Sequence, residues 1–204
     1  EISLGLVGSE MCIRDSDYDV DTKISIPFAA PYQMMNMTLA YQAMRMLEPE
    51  TGIKKEEILK GIRNTRWQGR MQEVGENIYF DGAHNVAGIH AFLDSVALIR
   101  PQNPILLFSM VSDKDYEKAI QLLAERGQWE QVIVTTISDK RGIPAEDIAR
   151  IFSHFGQQAV VIEDSRKAYE WALKGKKRGQ ALFCTGSLYF IGELLEITGG
   201  KNSD

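Results

Sequence analysis

From residue 72 onward the sequence predicts a doubly wound α/β fold, a mostly parallel sheet with helices on both faces. Two observations carry that prediction. Apolar runs of strand length alternate with longer runs of helical periodicity, and such alternation builds βαβ units. The first of these units is also the most distinctive: the strand-like run Ile78-Tyr79-Phe80 leads into Asp81-Gly82-Ala83-His84-Asn85, after which residues 86–99 become helical in period. Open α/β sheets bind their ligands at such junctions, past the carboxyl end of a strand. Here an acid and an amide can exchange hydrogen bonds, a glycine allows close backbone approach, and the free N–H groups of the helix start attract an anion. A phosphate-bearing ligand fits that set.

The 204 residues suffice for one domain with a substantial core plus part of another. With 44% hydrophobic and 25% charged residues, a folded globular chain is expected rather than a disordered one. The net charge of -5 argues against a nucleic-acid partner, because phosphate neutralisation needs clustered Lys and Arg. The short basic run at 174–178 reads as a solvated helix end. Cys12 and Cys184 lack the spacing of a zinc site, so a reduced, cytoplasmic protein is expected. No window approaches the roughly 18 apolar residues of a membrane span, and no basic-then-apolar leader opens the chain.

Taken in order, residues 1–16 fit neither the composition nor the pattern of the other 188 or so residues. They resemble a translated sequencing adapter and are set aside as non-native, which would leave the true chain truncated upstream of Asp17. A helix is expected over 31–47, where Met34, Met37, Ala40, Met44 and Leu47 stand near helical spacing as a core stripe, with Gln33 and Asn36 sharing a face. After it come a turn at 49–52 and a second helix at 54–62. Residues 61–70 read as a linker holding Arg63, Arg66 and Arg70. Strands at 71–74 and 77–80 form a hairpin-like pair. Helices are then expected at 87–98, 116–125, 145–154, 166–173 and 188–197, separated by strands at 104–110, 131–136, 159–162 and 181–184. The organisation is therefore 1–16 foreign, 17–66 a helical remnant of one domain, and 67–204 the α/β domain.

The turns after the strands contain the candidate functional groups. They read Asp81 to Asn85, Ser112-Asp113-Lys114-Asp115, Ser138-Asp139-Lys140-Arg141, Glu163-Asp164-Ser165 and Thr185-Gly186-Ser187. Asp, Ser and Thr are favoured as helix N-caps whatever the function, and Asp164 and Ser165 are read that way. Lys114 either pairs with Asp113 or Asp115 or faces a ligand. Ser187 either caps a helix or offers a hydroxyl to a substrate carboxylate. His84 either closes a turn or donates to a ligand, while His90 and His154 are structural. Neither G-x-x-x-x-G-K-[ST] nor G-x-G-x-x-G occurs, so the chain lacks a nucleotide cradle of its own.

Five separated segments, in order, resemble the folylpolyglutamate synthases and dihydrofolate synthases of the Mur ligase superfamily: Gln33-Met34-Met35-Asn36, Trp67-Gln68-Gly69-Arg70, Asp81 to Asn85, Ser112-Asp113-Lys114-Asp115, and Cys184-Thr185-Gly186-Ser187-Leu188-Tyr189. The resemblance covers about 27–197. It departs at Tyr32, where a histidine is common, and at Gln68, where a proline is. It implies the end of a central ATPase domain followed by a whole Rossmann-like C-terminal domain. The activity implied is ligation: a folate or dihydropteroate carboxylate is phosphorylated with ATP and Mg²⁺, and the amine of glutamate attacks the acyl phosphate. By the same resemblance Asn36 with Gln33 contacts adenine, Arg70 reaches the ATP phosphates, Asp81 holds the ribose, His84 lies by the nucleotide or the incoming glutamate, Asn85 adds to the substrate contacts, and Lys114 and Ser187 bind glutamate. Phosphate loop and magnesium ligands would lie upstream, so the chain alone is expected to be inactive, and a monomer. A peptidoglycan-precursor ligase, a Rossmann-like binding module without chemistry, and a hydrolase using His84, Asp81 and a serine are the alternatives; no G-x-S-x-G elbow supports the last.

Overall fold

The computed structural model describes the backbone of residues 10–13 and 22–25 and all of residues 30–199. Two compact units divide between Gln68 and Gly69. The first holds an antiparallel pair, β1 (Glu10–Ile13) and β2 (Thr22–Ser25), then α1 (Pro31–Thr51) and α2 (Lys55–Asn64). Of the segment 1–16 only β1 falls among the described residues, and the rest lies outside them.

α1 opens on Pro31, whose fixed φ and missing N–H suit a first helical turn. It runs through Pro49 to Thr51 rather than turning at 49–52. Pro49 donates no hydrogen bond back to the preceding turn, yet the helix continues past it, and Gly52, at φ 70, closes it with its N–H on Glu48 O at 2.9 Å. Met34, Met37 and Tyr41 form the buried stripe and pack on Ile58 and Ile62 of α2. Tyr41 takes the inward place expected of Ala40: at about 100° per residue it stands about 20° from Met34 around the axis, and Ala40 about 120° away. Leu47, also expected inward, is 44% exposed. The start of α2 is closed by Glu57, whose side chain accepts from Lys54 N–H at 2.9 Å, and the helix extends to Asn64, past its expected end.

The second unit contains β3 (Gln72–Gly75), β4 (Ile78–Asp81), α3 (Val86–Ile99), β5 (Gln102–Phe108), α4 (Tyr116–Arg126), β6 (Gln131–Thr136), α5 (Ala145–His154), β7 (Ala159–Asp164), α6 (Ser165–Gly175), β8 (Gln180–Thr185) and α7 (Leu188–Gly199). Its six strands order as β3-β4-β8-β5-β6-β7, all parallel except β3, which runs antiparallel to β4. The handedness of crossovers explains the layers. The steps from β4 through β5 and β6 to β7 all move one way across the sheet, so right-handed connections put α3, α4 and α5 on one face, where each packs on the next. The return from β7 into the slot between β4 and β5 moves the other way, and α6 lands on the opposite face beside α7. The doubly wound fold read from the alternation is the fold observed.

β8, flanked by β4 and β5, is buried along its whole length, and its side chains supply both faces in turn. Leu182 and Cys184 join Phe80, Leu107 and Ile133 under Ala168, Tyr169, Phe190 and Leu194 of α6 and α7. Phe183 points the other way, stacked on Tyr79 at 5.1 Å and edge-on to Phe92 and Trp129. Full burial of one such ring contributes about 1.5–3 kcal/mol, and the aromatic geometry adds to it. Burial pushes the Cys184 thiol well above its ordinary range, which makes it a packing residue. No helix among the described residues is long and apolar enough to cross a membrane.

Candidate functional site

Asp81 of β4 pairs with Thr185 of β8, and Phe108 of β5 pairs with the same Thr185 from the other side. The three strands therefore end level, and the segments beyond them share one edge of the sheet. That edge carries His84 and Asn85 after β4, Ser187 after β8 and Lys114 after β5, residues far apart in sequence. The close approach of β8 and β5 is enforced at Gly186. Its φ is 117, and a Cβ there would stand 2.3 Å from Ser109 O and 2.5 Å from the Phe108 ring. Only glycine fits.

The turn after β4 is held by its own backbone. Asp81 is 2% exposed, and its two carboxylate oxygens accept from Met71 N–H at 2.8 Å and Ala83 N–H at 2.9 Å. Gly82 N–H donates to Gly69 O at 2.7 Å, and Gly69 N–H to Gln72 Oε1 at 2.9 Å. Arg70 is thus bracketed: the residue before it and the residue after it are both tied to the Asp81-Gly82 pair. Met71, fully buried at φ 44, has the left-handed backbone that this strap requires. His84 Nδ1 lies 2.9 Å from Gly82 O. A carbonyl only accepts, so Nδ1 is the donor, and in the neutral ring Nε2 is then the acceptor. Asn85 caps α3, its Oδ1 accepting from Gly88 N–H at 2.8 Å.

Ser187 is 1% exposed and caps α7, its Oγ accepting from Tyr189 N–H at 3.2 Å. Accepting a bond leaves a hydroxyl its own proton to donate, so the cap and a carboxylate contact are compatible. Lys114 is exposed, and Asp113, one of the two acids expected to pair with it, accepts instead from Arg141 Nη1 at 3.3 Å. In the first unit Gln33 is 1% exposed and Asn36 Nδ2 donates to its Oε1 at 3.0 Å, so the pair placed on one helical face is in contact.

Arg141 is the residue that the sequence reading did not single out. Its Nε and Nη2 donate to Asp139 at 2.9 and 3.1 Å, and its guanidinium lies 4.6 Å above the Tyr189 ring. The side-chain hydrogen bonds from Arg141, with its backbone N–H next, hold the Asp139 carboxyl down to about 2. Its cue was a basic residue after an acid in a strand-end turn, the same cue that drew notice to Lys114. Along this edge, among the described residues, three buried polar atoms have no hydrogen-bond partner in the chain: Ser109 Oγ past β5, Thr185 Oγ1 at the end of β8, and Glu193 Oε2, whose sister oxygen accepts from Ser138 N–H past β6 at 2.7 Å. No group of three or more His, Cys, Asp or Glu side chains able to hold a metal occurs among the described residues.

Comparison with known proteins places the fold in a family. The family model described as "Mur ligase, glutamate ligase domain" matches residues 69–188. The chain is 24% identical over 203 residues to the folylpolyglutamate synthase of Lacticaseibacillus casei, covering 96% of this chain and 45% of that protein. It is 24% identical over 200 residues to the probable dihydrofolate synthetase of Schizosaccharomyces pombe, covering 91% and 47%. A solved structure of E. coli FolC in complex with DHPP and ADP superposes with a TM-score of 0.78 at 19% identity, over 98% of this chain and 46% of that one. The chain spans about half the length of the curated relatives it matches. The model match covers most of the second unit, from its first residue through the strand-end turns described above, and the chain belongs to the Mur ligase glutamate ligase domain family.

Proposed function

We propose that this chain is the C-terminal portion of an ATP-dependent ligase that joins glutamate to a folate, a folylpolyglutamate or dihydrofolate synthase. The observation that carries the reading is the level ending of β4, β8 and β5, which brings the turns of His84, Ser187 and Lys114 to one edge. In this reading residues 67–204 are the amino-acid-binding domain, residues 17–66 end a central ATPase domain, and residues 1–16 are foreign. The enzyme is cytoplasmic and monomeric.

Taken separately, each unit has groups suited to a nucleotide, and the second also has groups suited to an amino acid. Arg70, bracketed by the strap, suits phosphate oxygens, since a guanidinium offers a fork of donors to an anion. In the first unit the exposed Asn36 presents an amide suited to a base edge, and buried Gln33 holds it through Oε1. Asp81, whose carboxylate is held in place by the N–H groups of Met71 and Ala83, would stand at the ribose. His84 offers Nε2 as an acceptor for the ammonium or amine of glutamate, Asn85 its NH₂ group, and Ser187 and Lys114 a donor and a charge for the carboxylates. ATP would phosphorylate the folate carboxylate to an acyl phosphate, releasing ADP, and attack of the glutamate amine on that acyl carbon would expel inorganic phosphate; Mg²⁺ would be bound by upstream residues. Preorganised donors and exclusion of water are what such a site contributes to phosphoryl transfer.

The test is phosphate release. With ATP, Mg²⁺, glutamate and either dihydropteroate or tetrahydrofolate, the 204-residue chain alone should show none above background. Fused to the upstream half from its own gene, it should release phosphate only when glutamate and one of the two pterins are present, and the pterin preferred tells the two synthases apart. Turnover by the chain alone, or a fusion that ignores glutamate, would sink the proposal.

A further inference from the structure

The strand-end segment 138–143 is tied to its neighbours more heavily than an ordinary surface turn. Through its backbone, Arg141 O accepts from Ser112 N–H at 2.8 Å, Gly142 bridges Val111, and Ile143 N–H donates to Met110 O at 3.0 Å. From the other side, Glu193 of α7 accepts Ser138 N–H at 2.7 Å. The Arg141 side chain then takes three partners at once: Asp139 in a fork, Asp113 through Nη1, and the Tyr189 ring beneath its plane. Asp113 immediately precedes Lys114. Tyr189 lies two residues past Ser187 and supplies the N–H that the Ser187 Oγ accepts.

These contacts do little for stability. The Arg141 and Asp113 side chains are 41% and 42% exposed, and ion pairs that open to water contribute little. What a planar fork with a stacking face does well is fix directions, because its donors are rigid relative to one another. We infer that Arg141 is a positioning residue of the amino-acid subsite: its fork sets the Asp113-Lys114 turn and its face sets the first turn of α7, so that Lys114 and Ser187 converge on one ligand. The role rests on the proposed function, in which those two residues receive glutamate.

The test separates the mechanical part from the functional one. Backbone amide ¹⁵N relaxation of the 204-residue chain should show Lys114 and Tyr189 ordered in wild type and loosened in Arg141→Gln, with the signals of Leu106, Ile133 and Phe183 in the core unmoved. Arg141→Lys keeps the charge, loses fork and plane, and should restore little of that order. On titration with L-glutamate, wild-type amides near Ser187 and Lys114 should shift, and Arg141→Gln should weaken the affinity by about tenfold to a hundredfold, the usual cost of a misplaced binding group. Arg126→Gln, which removes an exposed arginine paired with Asp94 between α3 and α4, should alter neither readout. If Lys114 and Tyr189 stay ordered in Arg141→Gln, or glutamate binds it as tightly as wild type, the positioning role is wrong while the amino-acid assignment stands. A wild-type chain that takes up no glutamate overturns the assignment and the role together.

Discussion

The turn after β4 and the turns after β5 and β6 stand on the same sheet edge and are built in opposite ways. In the first, every functional side chain is bonded to nearby main chain: Asp81 to Met71 and Ala83, His84 to Gly82, Asn85 to Gly88. In the others, side chains from separate turns are bonded to one another, with Arg141 joining Asp113, Asp139 and Tyr189. The first arrangement fixes a backbone shape, and the second fixes how separate shapes face one another. A rigid turn can then present Nε2 of His84 without help, whereas Lys114 depends on a neighbour brought in by the fold.

The contrast predicts unequal costs for the same residue type. Asp81→Ala would leave the buried N–H groups of Met71 and Ala83 without acceptors, and at about 1–3 kcal/mol for each unsatisfied group the loss should come to about 2–5 kcal/mol in urea denaturation. Asp113→Ala removes a carboxylate that is 42% exposed and should leave the denaturation midpoint where it was. Equal effects of the two would erase the distinction between the turns. A smaller change sharpens it: Asn85→Ala should cost about 1 kcal/mol through the lost α3 cap, and Asn85→Ser, which can cap again, should cost almost nothing. A cost of Asn85→Ala that Asn85→Ser does not relieve would mean that the side chain does something other than cap.

The same difference decides what was legible in the sequence. The Asp81 to Asn85 stretch is readable because three of its bonds, Asp81 to Ala83, His84 to Gly82 and Asn85 to Gly88, close within three residues, so the spacing of residue types records that part of the geometry. The element order is readable for a similar reason: strand and helix periods are local, and crossover handedness then fixes the layers. Pro49 misled because local chemistry favours a turn there, while Gly52 three residues on was the residue that closed α1. Ala40 was chosen over Tyr41 because an apolar residue was sought where an amphipathic ring packs as well. Arg141 escaped notice because, Asp139 apart, its partners lie 28 residues back at Asp113 and on the first turn of α7, and nothing in its own stretch announces those two. The strap that brackets Arg70 was missed likewise, since its bonds reach from residues 69–71 to a strand on the far side of a hairpin.

The subtlest check is the titration of Asp139. Its carboxyl is held down to about 2 from an ordinary value of 3.8, first by the side-chain hydrogen bonds of Arg141 and then by the Arg141 N–H. A carboxyl whose folded-state value is depressed binds its proton more weakly in the folded chain than in the unfolded one. Whatever the contact adds to stability is therefore fully present above the ordinary value and lost as pH falls through about 2. Since Asp139 lies in a surface turn and is only partly buried, the visible effect is the titration itself rather than acid unfolding. Followed by its ¹³Cγ shift, Asp139 should titrate near 2 in wild type and return toward 3.8 in Arg141→Gln. If it already titrates near 3.8 in wild type, the guanidinium does not hold its fork in solution, and the turns after β5 and β6 lose the link that sets them apart from the turn after β4.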